Sequence, residues 1–149
     1  YKKSDFLFAL FQAKASIRKA AKAYLMEGYT DVMTLHQSGI TNAVASSGTA
    51  LTPGQIKLIK RFTDNTTIIY DGDTAGMKAS IRGINLLLEG GLNVRVVPMP
   101  EGEDPDSFAR SHTLEEIKEY LAYILELPED TIENVLKEFQ NHADKIESE

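Results

Sequence analysis

Acidic residues recur in this chain just past segments that read as buried strands. Glu27 follows Tyr24-Leu25-Met26, Asp71 and Asp73 follow Thr66 to Tyr70, and Asp104 and Asp106 lie in the loop after Val94 to Val97. The strand C-termini of an open parallel sheet share one edge, and ligands bind there. Carboxylates converging on that edge repel, each raising the pKa of the others. Divalent cations remove the penalty. Hard oxygen donors with no His or Cys beside them suit Mg²⁺ or Mn²⁺ rather than zinc. Asp31, one turn into the helix after Glu27, can point to the same edge. In Asp71-Gly72-Asp73 the two side chains share a face, because i and i+2 do so in extended chain, and Gly72 permits a sharp turn between them. Two ions held this way can clamp the attacking and leaving oxygens of a phosphoryl transfer. Nucleotidyl transfer, phosphodiester cleavage and phosphate-ester hydrolysis all fit, and the spacing does not choose among them.

The elements that must carry these acids follow from periodicity and from turn chemistry. Phe6 to Ala23 is Ala-rich, with apolar residues at helical spacing and Ser4 or Asp5 as a cap, and predicts a helix. Tyr24 to Met26 predicts a short strand that ends at Glu27-Gly28, and Asp31 to Gln37 a helix stopped by Gly39. Asn42 to Ala45 predicts a second strand. Thr52, Pro53 and Gln55 then form a capping-box pattern for a helix to about Phe62. The β-branched and aromatic run Thr66 to Tyr70 predicts a central strand. A helix through Met77, Ile81, Ile84 and Leu88 follows, capped by Asp73 or Thr74 and ended by Gly90-Gly91. Val94 to Val97 is a fourth strand, closed by Pro98 and Pro100. Helix and strand alternate as in an α/β domain with a mostly parallel sheet and helices on both faces. Helices at Pro105–Arg110 and Thr113–Leu125 come next, then a break at Pro128 and a last amphipathic helix through Ile132, Val135, Leu136 and Phe139.

Charge is divided along the chain. Residues 1–100 hold 12 Lys/Arg and 7 Asp/Glu, whereas residues 101–149 hold 4 and 15, out of 16 and 22 overall for a net charge of −6. A basic surface around an acidic pocket suits an enzyme that brings a polyanion to a metal. With no cysteine in 149 residues, disulfides and thiolate zinc sites are excluded. No apolar run reaches the roughly 18 residues of a membrane span. The start at Tyr1 predicts a piece of a longer protein.

The wording of the acidic segments is specific as well. Leu25-Met26-Glu27-Gly28-Tyr29-Thr30-Asp31-Val32 resembles the primase signature V-E-G-Y-M-D-V. Gly39 to Thr52 looks like that family's next block, Tyr70 to Ala79 resembles its D-G-D-x-A-G-x-x-A block, and Glu101 to Asp106 its G-E-D-P-D. Four blocks in family order make the chain similar, over roughly residues 1–112, to the TOPRIM catalytic domain of bacterial DnaG-type DNA primases, a fold also used by topoisomerases.

The resemblance implies a TOPRIM, Rossmann-like four-stranded sheet with a C-terminal helical appendage. It implies a linking helix at 1–23, the TOPRIM domain at 24–112 and a helical tail at 113–149. Glu27, Asp71 and Asp73 match the fold's acidic triad, and Asp31, Asp104 and Asp106 the additional acids of the primase branch. Together they would bind two or more Mg²⁺ or Mn²⁺ ions. Lys3 matches a basic residue facing nucleotide or template, and Gly28 and Lys78 are further candidates for that contact. The implied partners are a single-stranded DNA template, ribonucleoside triphosphates and the RNA primer, in the bacterial cytoplasm at the replisome, without a membrane. Zinc and the replicative helicase would be bound by domains that this chain does not contain, and the fragment alone is expected to be poorly active.

Other readings compete. Asp-x-Asp after a strand also opens haloacid-dehalogenase-type phosphatases, but Ala75 stands where that motif wants Thr or Val, and the first acidic block is left unexplained. A topoisomerase or nuclease of the same fold would share the acids but not the words of Ser46 to Thr52. A module that docks helicase or template without catalysis would not need the metal.

Overall fold

The molecule, a computed structural model, is described at residues 6–47, 51–71, 74–100, 102–125 and 137, with backbone alone at 74–81 and 123–125. Its elements run α1 (Leu10–Ala20), β1 (Ala23–Met26), α2 (Tyr29–Ser38), β2 (Ala43–Ala45), α3 (Pro53–Lys60), β3 (Asn65–Tyr70), α4 (Thr74–Glu89), β4 (Asn93–Pro98), α5 (Pro105–Ser111) and α6 (Leu114–Leu125). The strands form one parallel sheet in the order β2-β1-β3-β4.

Alternation along each strand explains why both faces are covered. Ala23, Leu25, Val44, Ile68, Tyr70 and Val96 face one core, closed by α1, α3 and α4 through Ile17, Ile56, Ile59 and Leu87. Tyr24, Met26, Ala43, Ala45, Ile69 and Val97 face the other, closed by α2, α5 and α6 through Val32, Leu35, Phe108 and Ile117. A side chain such as Ile17, fully buried, contributes about 1.5–3 kcal/mol relative to exposure. Strands buried on both faces read as continuous apolar runs, which is the parallel-sheet pattern.

The chain leaves β1 for β2 through α2 on one face, and β3 for β4 through α4 on the opposite face. The direction of winding therefore reverses between neighbouring β1 and β3, and a crevice opens at their C-terminal ends. Glu27 follows β1 directly and Asp71 follows β3 directly, so these two acids flank the crevice.

Local capping fixes the approach to it. Thr52 Oγ1 accepts from Gln55 N–H while Gln55 Oε1 accepts from Thr52 N–H, each at 3.1 Å, which is the capping box anticipated from the sequence. Fully buried Gln55 also donates to the Phe6 carbonyl at 2.8 Å, tying the N-terminal segment to α3. Gly39 ends α2 at φ 103°, a left-handed conformation in which a Cβ would be strained, and its N–H bonds the last carbonyls of the helix.

Three boundaries differ from expectation. The first helix spans Leu10–Ala20, not Phe6 to Ala23, because Ala9 and Ala21 both turn left-handed at φ 67° and 56°. Ahead of it Phe8 pairs with Ala45, exchanging bonds of 2.8 and 3.2 Å along the β2 edge, and Leu7 enters the core. Local helix propensity lost to edge pairing and burial. The second helix starts at Tyr29, two residues before Asp31, with Gly28 as its N-cap. Pro98 belongs to β4 instead of closing it, which an edge strand tolerates. The expected caps Ser4, Asp5 and Asp73, and the expected helix beyond Pro128 apart from residue 137, lie outside the described residues.

Candidate active site

The five described acids of this edge sit in different environments. Glu27 is exposed at the end of β1, and Asp71 is half-buried at the end of β3. Asp31, in the first turn of α2, is only 8% exposed. Burial is the main reason its carboxyl is pushed up to about 6, with the negative charges of Asp71, Asp104 and Asp106 adding to the shift. A hydrogen bond from Asp106 N–H works against it. That bond, 2.9 Å long, ends on Asp31 Oδ1. Asp106 is held the other way, below the usual carboxylate range, by the hydroxyl of Thr34 and by Arg110. Arg110 Nε lies 2.9 Å from Asp106 Oδ1, which also accepts from Thr34 Oγ1. Asp104 is the N-cap of α5 and accepts from Ser107 N–H at 2.7 Å.

The structure thus brings Asp71, Asp104 and Asp106 within electrostatic reach of Asp31, with Glu27 on the strand end next to that of Asp71. Asp73 and Lys3 lie outside the described residues, and so does the side chain of Lys78. Among the described residues no three acidic or His side chains are close enough together to hold one ion. The donor chemistry nonetheless fits a hard divalent ion. The donors are carboxylate oxygens, and the most buried of them, Asp31, is raised partly by its acidic neighbours, a cost that a cation would relieve.

Gly28 has a steric reason to be glycine. A Cβ built there would lie 2.7 Å from Asp31 Oδ2, so a side chain would push the Asp31 carboxyl aside. Tyr29 is 55% exposed and keeps an edge contact with the Phe8 ring at 5.9 Å. His36 and His112 serve structure. His36 Nε2 bonds the Ala43 carbonyl at 2.9 Å, and the His112 ring stacks on Phe108 with centroids 4.0 Å apart. Lys60 bonds the Gly91 carbonyl at 2.9 Å.

Sequence reasoning missed Thr34 and Arg110. Both were signalled by spacing: Thr34 is three residues past Asp31 and Arg110 four past Asp106, the offsets at which helical side chains share a face.

Residues 24–109, more than half of the chain, match the Toprim-like family model, and the chain belongs to that family. Its relatives are DNA primases. The DNA primase of Aquifex aeolicus is 40% identical over 147 residues, which cover 94% of this chain and 30% of that protein. The crystal structure of the Aquifex aeolicus primase zinc-binding and RNA polymerase domains is 44% identical with TM-score 0.79, covering 83% of this chain and 30% of that one. A DnaG primase catalytic domain solved bound to ssDNA is 34% identical with TM-score 0.75, covering 83% and 41%. The chain spans less than a third of the length of the curated Aquifex aeolicus relative. The comparisons do not favour the phosphatase, topoisomerase or nuclease readings.

Proposed function

We propose that this chain is a catalytic-core segment of a DNA primase, which synthesises RNA primers on single-stranded DNA by metal-dependent nucleotidyl transfer. The observation that carries this reading is the placement of Glu27 and Asp71 at neighbouring strand ends on the switch point, with Asp31, Asp104 and Asp106 brought in from α2 and α5, in a chain whose relatives are primases.

In this reading Glu27, Asp71 and Asp73 hold Mg²⁺ or Mn²⁺, and Asp31, Asp104 and Asp106 complete the set for two or more ions. Bound divalent ions would offset the charge that develops on the transferred phosphoryl group. The chain itself supplies orientation. α5 is capped by Asp104 and bonded to α2 through Asp106 N–H, so its two acids are held on the same edge as Asp31. The other proposed roles are Lys3, Gly28 and Lys78 toward nucleotide or template, the domain limits 24–112 and 113–149, ribonucleoside triphosphates and primer as ligands, a helicase bound through another part of the protein, and action in the bacterial cytoplasm at the replisome.

The test is primer synthesis from ribonucleotides on single-stranded DNA by the full-length primase carrying Asp71→Ala in this segment. Synthesis is expected to disappear while the fold persists. Retained synthesis rules the assignment out.

A further inference from the structure

We propose that Thr34 and Arg110 are positioning residues of the carboxylate edge, clamping Asp106 so that α5 presents it, together with Asp31, to a divalent ion. This deepens the reading of that edge as a cation site and rests on it.

The geometry is a closed circuit between two helices. Asp31 and Thr34 lie on α2, three residues apart, and so look toward α5 together. Asp106 N–H donates to Asp31 Oδ1 at 2.9 Å, and Thr34 Oγ1–H donates back to Asp106 Oδ1. Arg110, one turn further along α5, donates from Nε to that same oxygen at 2.9 Å. In each carboxyl the protein's bonds fall on Oδ1. Oδ2 of Asp31 and of Asp106 accepts no hydrogen bond among the described residues.

Each carboxylate is therefore anchored by one oxygen and offers the other, the arrangement that a metal ligand requires of its supporting groups. Stability does not account for the Arg110 arm of the clamp. The Arg110 side chain is 71% exposed and its pair with Asp106 is an i,i+4 surface pair, worth well under about 1 kcal/mol. Thr34 is buried, so its hydroxyl has few alternatives to Asp106. Thr34 also lies outside the four family-like blocks, so its role is read from the contact alone.

The test is Mn²⁺ binding to the full chain, read by EPR of unbound Mn²⁺, a measurement that needs no turnover. Circular dichroism checks the fold of each variant. Wild type should bind, and Asp71→Ala should lose most of that binding. Thr34→Val, which keeps the shape and removes the donor, should weaken binding on the order of tenfold, the size expected for a supporting group. Thr34→Ser should restore it, and Arg110→Gln should weaken it several-fold. Because Arg110 is exposed, its variant decides the matter should Thr34→Val misfold. Wild-type affinity in Arg110→Gln and in any folded Thr34→Val, with Asp71→Ala deficient, overturns the clamp and leaves the cation site standing. No Mn²⁺ binding by wild type overturns both.

Discussion

The two ends of the sheet handle polar groups in opposite ways. At the N-terminal end, Asn42, Asn65 and Asn93 stand at or just before the first residues of β2, β3 and β4. Their amides bond the Lys22 carbonyl at 3.2 Å, the Ala21 carbonyl at 2.9 Å and, from Asn93 to Asn65, one another at 3.0 Å. These groups are neutral and each donates a bond that supports the fold. At the C-terminal end carboxylates crowd together, and Asp31 is raised to about 6, chiefly by burial and further by the like charges near it. Both ends come from the same strands, so the difference is not imposed by the architecture. One end is arranged for stability, while the other keeps a charge repulsion that a bound cation would relieve.

Four experiments sharpen or break this contrast. The largest effect is expected for Asp71→Ala, which should lower primer synthesis by the full-length protein on the order of 100-fold or more. Asn65→Ala at the other end should leave synthesis near wild type. Equal losses from both would erase the distinction.

Next is the stability of the metal-free protein. The Asp31 carboxyl titrates near 6 when folded against 3.8 ordinarily, so its contribution favours folding fully below pH 3.8 and is lost as pH rises through 6. In EDTA, Asp31→Asn should therefore be more stable than wild type at pH 7.5 by about 1 kcal/mol, after allowance for screening by solvent. That gain should shrink toward pH 4, and Mg²⁺ should stabilise the variant less than wild type. Urea midpoints at the two pH values, with and without Mg²⁺, measure this. A variant no more stable than wild type at pH 7.5 contradicts it.

Asn65→Ala should cost about 1 kcal/mol through its lost amide bonds, with the response to Mg²⁺ unchanged. The smallest effect, and one of opposite sign, is expected at Thr66. Its hydroxyl is buried without a hydrogen-bond partner among the described residues, so Thr66→Val should stabilise by roughly 0.5–1 kcal/mol. Thermal midpoints read both.

Much of this was legible before any coordinates, and particular residues show why. Tyr24-Leu25-Met26 and Thr66 to Tyr70 are apolar or β-branched runs between turn signals, and Thr52-Pro53-x-Gln55 carries its capping box in four consecutive positions. Such signals are local, and local chemistry suffices to read them. Arg110 was marked by its offset of four from Asp106, but the Thr34 half of the clamp was not legible, because Thr34 and Asp106 are 72 residues apart and nothing near either one names the other.

The N-terminal segment shows the same limit from the other side. Phe6 to Ala9 has helical composition, yet Phe8 pairs with Ala45, 37 positions away, and the helix waits until Leu10. The order of elements, the alternation that covers both sheet faces and the acids at the strand ends were determined by the sequence alone, because each depends on neighbours a few positions apart. Tertiary structure decided that Asp31 is buried and that Asp106 bonds to both Asp31 and Thr34. Those outcomes depend on what α5 meets when it packs on α2, and only the folded chain brings those groups into contact.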